Sequence, residues 1–315
     1  MKTNWERHHS IIHLPDEAIT SIVKSYQPHL KVKNTTQLSG GLSHTNYKID
    51  IAHHSSVVIR VARNQESLKR EYEVHRSLPK DVRAPAFLHM TKWNGYHIGI
   101  LEWKEGSLLR DHLSSSSQQH MKAMGQSIGE QLASMRELRF NTYGFLDSTI
   151  EVRDEFQLTP ASFISTIESF FNQHASKWLS LTLTDRVMTF VRNNAWLLEE
   201  DQSEPRLVHG DYNGLNVLMN GTEVSAVLDW EFALSGSIYF DLGNMIRYEF
   251  DHMTSFKEGI NQGLLNRGIT LPKQWQKLAK LADLVALCSL LDRPVCGENR
   301  VRDITQLITK TIESY

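Results

Sequence analysis

The segment from Leu207 to Glu231, LVHGDYNGLNVLMNGTEVSAVLDWE, constrains this chain more than any other part of its sequence. Asn216 follows Asp211 by five residues, and Asp229 follows Asp211 by eighteen. Asn216 opens a short apolar run, a glycine marks a turn, and a second apolar run leads to Asp229. This pattern predicts a hairpin that brings Asn216 and Asp229 together, each at the end of a strand.

The residue types in this segment indicate a particular chemistry. A carboxylate and an amide oxygen are hard oxygen ligands of the kind that Mg²⁺ selects, which makes Asn216 and Asp229 candidate metal ligands. Asp211 lies slightly apart and would be free to accept a proton from an incoming hydroxyl group. Phosphoryl transfer needs this division, with a metal on the phosphates and a base that orients the nucleophile.

The order H-x-D-x-x-x-x-N, followed by a strand-end aspartate, resembles the catalytic and metal loops of eukaryotic-type protein kinases. The variant His209-Gly210-Asp211 with Asp229-Trp230-Glu231 more closely resembles the aminoglycoside phosphotransferase family, whose relatives include choline and homoserine kinases and macrolide phosphotransferases. The later segment GSIYFDLGN is similar to that family's downstream Gly…Asp-Leu element. The resemblance implies that Asp241 is a buried acid bracing the catalytic loop. We expect His209 to support the loop by packing and hydrogen bonding rather than to act as a general base.

The same resemblance covers the first hundred residues in the order that the family has. LSGGLSHTNYKI resembles the Gly-rich nucleotide loop, in which backbone N–H groups cover the phosphates. It places the nucleotide against four residues, namely Gly40, Gly41, Ser43 and Asn46. Considered alone, the two glycines would equally fit a simple hairpin turn. ILEWKEG resembles the hinge, so the backbone around Glu102, Trp103 and Lys104 is expected to receive the base.

SVVIRVAR resembles the family's third strand, in which a cation pairs with the phosphates, and Arg60 takes that position where a lysine is commoner in kinases. Arginine can still bind phosphate through its planar fork of donors. LKREYEVHRSL resembles the helix whose glutamate orients that cation, which makes Glu71 the expected partner of Arg60. The alternatives are an edge-strand charge at Arg60 and a solvent-facing side chain at Glu71.

The hydrophobic patterns predict strands up to residue 104 and mainly helices after it, and the family resemblance implies that these parts form an α+β, bilobal, protein-kinase-like fold. A small antiparallel-sheet N-lobe with one helix should occupy residues 1–104 and end at the hinge. The larger, mainly helical C-lobe should occupy residues 105–315 and carry catalysis and substrate binding. In that lobe, the apolar residues between Met121 and Leu138 recur every three or four positions, which is typical of one buried helix face.

Composition limits the possible partners and the location. The net charge is −2, divided into +6 for residues 1–104 and −8 for residues 105–315, and the pI near 6.7 does not suggest nucleic-acid binding. The acidic C-terminal part is compatible with a cationic substrate. Two cysteines without CxxC spacing favour a reducing compartment. With a polar N-terminus and no run of about 18 apolar residues, the chain is expected to be cytoplasmic, without a membrane partner.

The sequence therefore predicts a small-molecule kinase that transfers the γ-phosphate of ATP or GTP, with Mg²⁺, to a hydroxyl group of an antibiotic or a metabolite. The acceptor itself is left open, because fold and catalytic loop do not dictate the substrate. A catalytically silent, nucleotide-binding scaffold is the main alternative. A protein kinase is a second alternative. It is disfavoured because the chain goes from Asp229 to Asp241 in twelve residues, which leaves little room to dock a peptide.

Overall fold

The computed structural model describes residues 2, 5–7, 9–39, 41–114 and 116–314. Its first part holds a five-stranded antiparallel sheet and two helices. These elements are α1 (Asp16–Tyr26), β1 (Val32–Gln37), β2 (Thr45–Ile51), β3 (Val57–Ala62), α2 (Gln65–Ser77), β4 (Phe87–Trp93) and β5 (Tyr96–Glu102). The strands are ordered β1-β2-β3-β5-β4, which places the apolar β3 at the centre of the sheet.

The N-lobe sheet follows from its side-chain pattern. Alternate residues of β2 are buried, whereas β3 is buried almost throughout because it has neighbours on both edges and packing on both faces. The register of β2 on β3 sets Asn46 opposite Arg60. One face of the sheet packs on α1 through Ile19, Ile22 and Val23, which form a small core with strand residues.

Helix α2 covers the opposite side, towards the rest of the molecule. Asn64 caps it by accepting hydrogen bonds from the backbone N–H groups of Glu66, at 2.8 Å, and Ser67, at 3.3 Å. Its buried face contains Leu68, Glu71 and Val74. A fully buried glutamate on such a face requires a charged or hydrogen-bonding partner, and this helix therefore positions a polar contact as well as apolar packing.

The C-lobe is mainly helical. Its helices are α3 (Leu109–His112), α4 (Gln118–Met135), α5 (Pro160–Gln173), α6 (Leu181–Asn194), α7 (Ile238–Met245), α8 (Met253–Asn266), α9 (Trp275–Leu291) and α10 (Glu298–Glu313). Short 3-10 turns occupy Ala175–Lys177, Ala195–Glu200 and Trp230–Phe232. These elements surround the larger core, which includes the buried face of α4 predicted from its spacing.

Helices α4 and α8 lie in direct backbone contact. A Cβ atom added to any of four buried glycines would overlap a carbonyl oxygen of the facing helix; these are Gly125, Gly129, Gly259 and Gly263. The four glycines therefore set the separation of the two helices, because any larger side chain there would force the backbones apart.

Two small sheets line the C-lobe side of the cleft. They are formed by β6 (Ser107–Leu108), β7 (Gly144–Leu146), β8 (Val152–Glu155), β9 (Arg206–Val208), β10 (Val217–Asn220), β11 (Glu223–Val227) and β12 (Leu234–Gly236). The sheet β11-β10-β6 contains the predicted hairpin, and the second sheet is ordered β8-β7-β12-β9.

This architecture confirms the predicted α+β bilobal fold with an antiparallel N-lobe and a mainly helical C-lobe. The placement of the lobe boundary at residues 104 and 105 stays a prediction. The sheet β8-β7-β12-β9 was not predicted, because strands of three or four residues are too short to show an alternating pattern. Within the described residues, no helix combines the length and the apolar character required to cross a bilayer.

Candidate active site

The turn between β9 and β10 carries the predicted catalytic residues. Gly210 has φ +79°, and a Cβ atom there would overlap the carbonyl oxygen of Phe232, so the position requires glycine. The Asp241 carboxylate accepts hydrogen bonds from the backbone N–H groups of His209, at 2.8 Å, and Gly210, at 3.0 Å. Asp241 is completely buried in the first turn of α7, and these contacts hold the beginning of the turn between β9 and β10.

The His209 ring is fully committed to the support of this turn. Its Nδ1 accepts the backbone N–H of Asp211 at 3.1 Å, and its Nε2 lies 2.8 Å from the carbonyl oxygen of Leu228. Because a carbonyl can only accept, the proton belongs on Nε2. The ring also packs on the indole of Trp230, with 4.6 Å between ring centroids. A ring with both nitrogens engaged is poorly placed to act as a general base.

Asp211 points into the cleft from the centre of the turn. Its Oδ1 accepts the Asn213 side-chain amide at 2.8 Å, and its Oδ2 accepts that of Asn216 at 2.9 Å. Both oxygens also accept the ammonium group of Lys2, at 2.8 and 2.9 Å. Although burial opposes the shift, the charge and hydrogen bonds of Lys2 lower the pKa of Asp211. The aspartate is therefore held as a carboxylate, the form that can accept a proton.

Asp229 follows the hairpin and lies near Asn216. The backbone N–H of Leu228 donates to the carbonyl oxygen of Asn216 at 2.8 Å, which fixes the two strand ends side by side. Asp229 adopts a left-handed conformation with φ 68° and ψ 66°, an unfavourable one for a residue with a side chain. Burial and the nearby negative charges of Glu231 and Glu71 raise the pKa of Asp229 despite the charge of Arg60.

Arg60 connects the two lobes at this point. Its Nη1 binds Glu71 and lies 3.0 Å from Oδ1 of Asp229, and its Nε donates to the Asn46 side chain at 3.3 Å. Arg60 lies in the central strand β3, so it is not an edge-strand charge. Glu71 is completely buried and binds Arg60, so it does not face solvent. Both alternatives are therefore wrong. Burial alone would raise the pKa of Glu71, but the Arg60 charge and a contact with His75 lower it.

The Gly-rich loop lies above these groups. Gly41 and Ser43 belong to the described part of the loop, whereas Gly40 lies outside the described residues. The carbonyl oxygens of Gly41 and His44 accept hydrogen bonds from Arg7. Because these carbonyl groups bind Arg7, the backbone N–H groups of the loop can be directed at a ligand, as phosphate binding would require.

At the hinge, part of the backbone is already used. The N–H of Glu102 donates to the carbonyl oxygen of Ala86 at 2.9 Å, and that of Trp103 donates to Ser56 at 3.3 Å. The Glu102 side chain is also bound, since it accepts the backbone N–H of Ala86 and the Lys104 ammonium. The base-binding role predicted for these three residues therefore falls on their remaining backbone groups, including the N–H of Lys104.

A family model described as the phosphotransferase enzyme family matches residues 34–281, which is most of the chain. The chain belongs to this family. A search of curated proteins gave no match. Among solved structures, aminoglycoside phosphotransferase APH(4)-Ia aligns with TM-score 0.73 and 16% identity, covering 95% of this chain and 99% of that one.

Two further solved structures are similar to this phosphotransferase. APH(2")-IIa, solved as a ternary complex with streptomycin and ATP, has TM-score 0.63 and 16% identity, with 96% of this chain and 99% of that one covered. Macrolide 2'-phosphotransferase MphH from Brachybacterium faecium has TM-score 0.61 and 14% identity, with 87% and 91% covered. At these identities the structures show only the fold that this chain shares with them, and the family match makes it a phosphotransferase.

The charges around Asp229 in this phosphotransferase fit a divalent cation. Three carboxylates, those of Glu71, Asp229 and Glu231, lie near the guanidinium of Arg60. His44, Asp229 and Glu231 each offer one ligand atom, and these three atoms lie within 4.8 Å of one another. A bound cation would offset the excess negative charge. Since Mg²⁺ prefers oxygen ligands, the carboxylates and the Asn216 amide oxygen suit it better than the imidazole.

Sequence reasoning missed two groups in this site. His44 in the Gly-rich loop lies 2.9 Å from Glu231, and the ion pair joins the loop to the other lobe. Although burial lowers it, contact with Glu231 raises the pKa of His44. His44 could have been noticed as the one titratable residue in the loop motif LSGGLSHTN. Lys2 had no such signal, because it lies 209 residues before its partner Asp211 in a polar segment.

Proposed function

We propose that this phosphotransferase transfers the γ-phosphate of ATP or GTP to a hydroxyl group of an antibiotic or a small metabolite, with Mg²⁺. The meeting of Arg60 and Asp229 across the cleft carries the proposal, because it joins a phosphate-binding cation to a candidate metal ligand. Asp211 and Asn216 lie directly beside that pair, linked by a hydrogen bond of 2.9 Å.

The nucleotide is bound between the lobes in this proposal. Arg60 turns part of its fork from Asp229 to the α- and β-phosphates while Glu71 keeps it oriented. Backbone N–H groups of the Gly-rich loop, including those of Gly41 and Ser43, cover the phosphates. The base lies against the hinge at residues 102–104, where a carbonyl and an N–H can pair with its edge.

Asn216 and Asp229 would hold the metal, with Glu231 near enough to add a contact. When bound, Mg²⁺ neutralises charge on the transferred and leaving phosphate oxygens. The residues of the chain contribute the geometry. The hairpin sets Asn216 and Asp229 side by side, and Arg60 compensates the charge of Asp229 before the ligand arrives.

Asp211 acts as the base that orients the acceptor. Its carboxylate accepts the proton of the acceptor hydroxyl late in a largely dissociative transfer, while the hydroxyl oxygen bonds to the γ-phosphorus and the bond to the β-phosphate oxygen breaks. The amides of Asn213 and Asn216 hold the carboxylate in one orientation, so that the acceptor oxygen is directed at the phosphate.

The acceptor would bind between the catalytic turn and the helices of residues 155–200 and 245–315. The net charge of −8 over residues 105–315 supports a small hydroxylated substrate that carries positive charge, such as an amino sugar. A cytoplasmic location, supported by the two free cysteines Cys288 and Cys296, belongs to the same proposal.

A thermal denaturation scan with ATP or GTP, each with and without Mg²⁺, tests the nucleotide site. A ligand that binds only the folded state adds about 2.7 kcal/mol at roughly a hundredfold excess over its dissociation constant, which moves Tm by a few degrees. We expect a shift that depends on Mg²⁺ with at least one nucleotide. Acceptors are then screened by the release of ADP or GDP.

The alternatives give different results in the same experiments. A silent scaffold would show the nucleotide shift but release no diphosphate with any hydroxylated acceptor. No shift with either nucleotide would count against the proposed donor site. A protein kinase would phosphorylate members of a peptide array, which a small-molecule kinase leaves unmodified.

A further inference from the structure

The first described residues of the chain form a segment that crosses the cleft. We call residues 2–14 the strap, of which 2, 5–7 and 9–14 are described. At its beginning, the backbone N–H of Lys2 donates to the Tyr248 hydroxyl at 3.0 Å, in the C-lobe. At its end, the N–H of Ile12 donates to the Thr45 hydroxyl at 3.1 Å, in the N-lobe sheet. The strap therefore passes from one lobe to the other.

The middle of the strap is anchored in the C-lobe. Trp5 is 6% exposed and belongs to the large core, and its indole N–H donates to Asp303 at 2.9 Å. The Glu6 carboxylate accepts the backbone N–H groups of Asn299, at 2.9 Å, and Arg300, at 3.4 Å. These two donors open helix α10, and a carboxylate is favoured there by the helix dipole.

The next residue of the strap binds the opposite side of the cleft. Arg7 donates to the carbonyl oxygens of Gly41 and His44, the latter at 2.9 Å. Two adjacent residues thus connect α10 to the Gly-rich loop. A substrate or a nucleotide that moved the loop would have to move the strap as well.

Lys2 fills the position that an acceptor hydroxyl would need. Its ammonium contacts Oδ1 of Asp211 at 2.8 Å and Oδ2 at 2.9 Å, with the two side chains only 12% and 18% exposed. Each of these oxygens also accepts one amide hydrogen bond, from Asn213 and Asn216 respectively. Two hydrogen bonds occupy the two lone pairs of a carboxylate oxygen. Asp211 has no site left for a hydroxyl group while Lys2 is bound.

We propose that the strap is an autoinhibitory segment, in which Lys2 blocks Asp211 and must be displaced before an acceptor can react. The proposal rests on the proposed function, because it requires Asp211 to be the base. The strap then divides the protein into a blocked state and an open state, and the rate follows the fraction that is open. Positively charged acceptors displace Lys2 most directly, since they bring to the same carboxylate the charge that Lys2 supplies.

Nucleotide hydrolysis without an acceptor tests the block. Here water replaces the hydroxyl; its oxygen bonds to the γ-phosphorus, its proton passes to Asp211, and the bond to the β-phosphate oxygen breaks. For a strap that is closed in roughly ten molecules of eleven, Lys2→Ala should hydrolyse nucleotide about tenfold faster than the natural chain. Lys33→Ala removes the same charge at an exposed position of β1, away from Asp211, and should leave the rate unchanged.

A second variant separates the strap from a local effect of the lysine charge. Glu6→Ala removes the anchor on α10 without touching Asp211, and it should also raise the hydrolysis rate several-fold. An unchanged or lower rate in both variants, with the natural chain active, would overturn autoinhibition. A fall in Lys2→Ala alone would instead make Lys2 a productive part of the site, which also contradicts the proposal.

Amide hydrogen exchange gives a readout that does not depend on turnover. Exchange in residues 5–14 should be faster in Lys2→Ala and in Asp211→Asn than in the natural chain, because both variants break the contact that closes the strap. Unchanged exchange in both would overturn the strap whatever the rates are. Hydrolysis absent from every variant would reject the proposed function and the inhibition with it, whereas faster exchange would still establish the contact.

Discussion

Arg247 binds Asp283 through three hydrogen bonds of 2.7 to 3.1 Å, and both side chains are only 2% exposed. The pair joins Arg247, the second residue after α7, to the middle of α9. Its positive member also acts on Asp211, since the Arg247 charge adds to the lowering of the pKa of that carboxyl group. Because this buried pair acts on Asp211, a change that breaks it should affect both the stability of the C-lobe and the pKa of Asp211.

Asp283→Ala should therefore lower the free energy of unfolding by about 3–5 kcal/mol, because it leaves the Arg247 charge buried without a partner. Urea denaturation would measure the loss, with an unchanged m value as evidence that the unfolded state is the same. Glu258→Ala serves as the control, because its pair with Lys122 is more than half exposed and should change stability by less than about 1 kcal/mol. Equal losses in the two variants would contradict the role given to burial.

A second prediction concerns the glycines between α4 and α8. Alanine is the better helix former by about 1 kcal/mol, so propensity alone would favour Gly263→Ala. The added Cβ would overlap the carbonyl oxygen of Gln126, and we expect a net destabilisation of about 1–3 kcal/mol from the forced separation of the helices. The midpoint of thermal or urea unfolding measures this, with Gln262→Ala on the exposed face of α8 as the control. A rise in stability for Gly263→Ala would show that the two helices can move apart freely.

Asp211→Asn tests the assignment of the base. The variant keeps the shape of the side chain and removes its ability to take up a proton, so turnover should fall by roughly 10²–10⁴-fold. The variant should still bind nucleotide in titration calorimetry, because the contact of Arg60 with Glu71 is left intact. Turnover close to that of the natural chain would remove Asp211 from its proposed role.

Asp229→Ala should have the opposite signature. The loss of this carboxylate removes a metal ligand, so nucleotide binding that depends on Mg²⁺ should weaken while binding without the metal changes less. A titration of Mg²⁺ at fixed nucleotide, followed by the shift in Tm, distinguishes the two effects. If the variant and the natural chain need the same Mg²⁺ concentration for half of the shift in Tm, Asp229 is not a metal ligand. Lys33→Ala, at an exposed position of β1 outside the proposed site, is a suitable control.

The sequence predicted those parts of the site that depend on local patterns. The hairpin that joins Asn216 to Asp229 follows from two apolar runs and a turn within a few residues. The contact of Arg60 with Glu71 was implied by the family resemblance and not by a local pattern, and the structure contains it. Strands before residue 104 and helices after it followed from the hydrophobic patterns, and the family resemblance implied the bilobal fold.

Other features depend on contacts that no local pattern contains. The contact of the strap with Asp211 joins residues that are 209 positions apart in the sequence, and the residues of the strap show no periodicity. The ion pair of His44 with Glu231 arises only when the lobes come together. The close approach of α4 and α8 could not be predicted for another reason. Isolated glycines in a helical pattern weaken the prediction of the helix and do not indicate that a second helix packs there.

The way the lobes interlock has a practical consequence for the hinge. Val74 and Val82 lie before the hinge in sequence yet pack into the large C-lobe core. The backbone carbonyl oxygen of Arg83 accepts a hydrogen bond from the backbone N–H of Val227 at 2.7 Å. The chain between the lobes is exposed at Glu105 and Gly106. Two separate polypeptides, divided at that point, would keep every one of these contacts available. The molecule is thus suited to conversion into a two-piece enzyme whose activity reports when its halves are brought together.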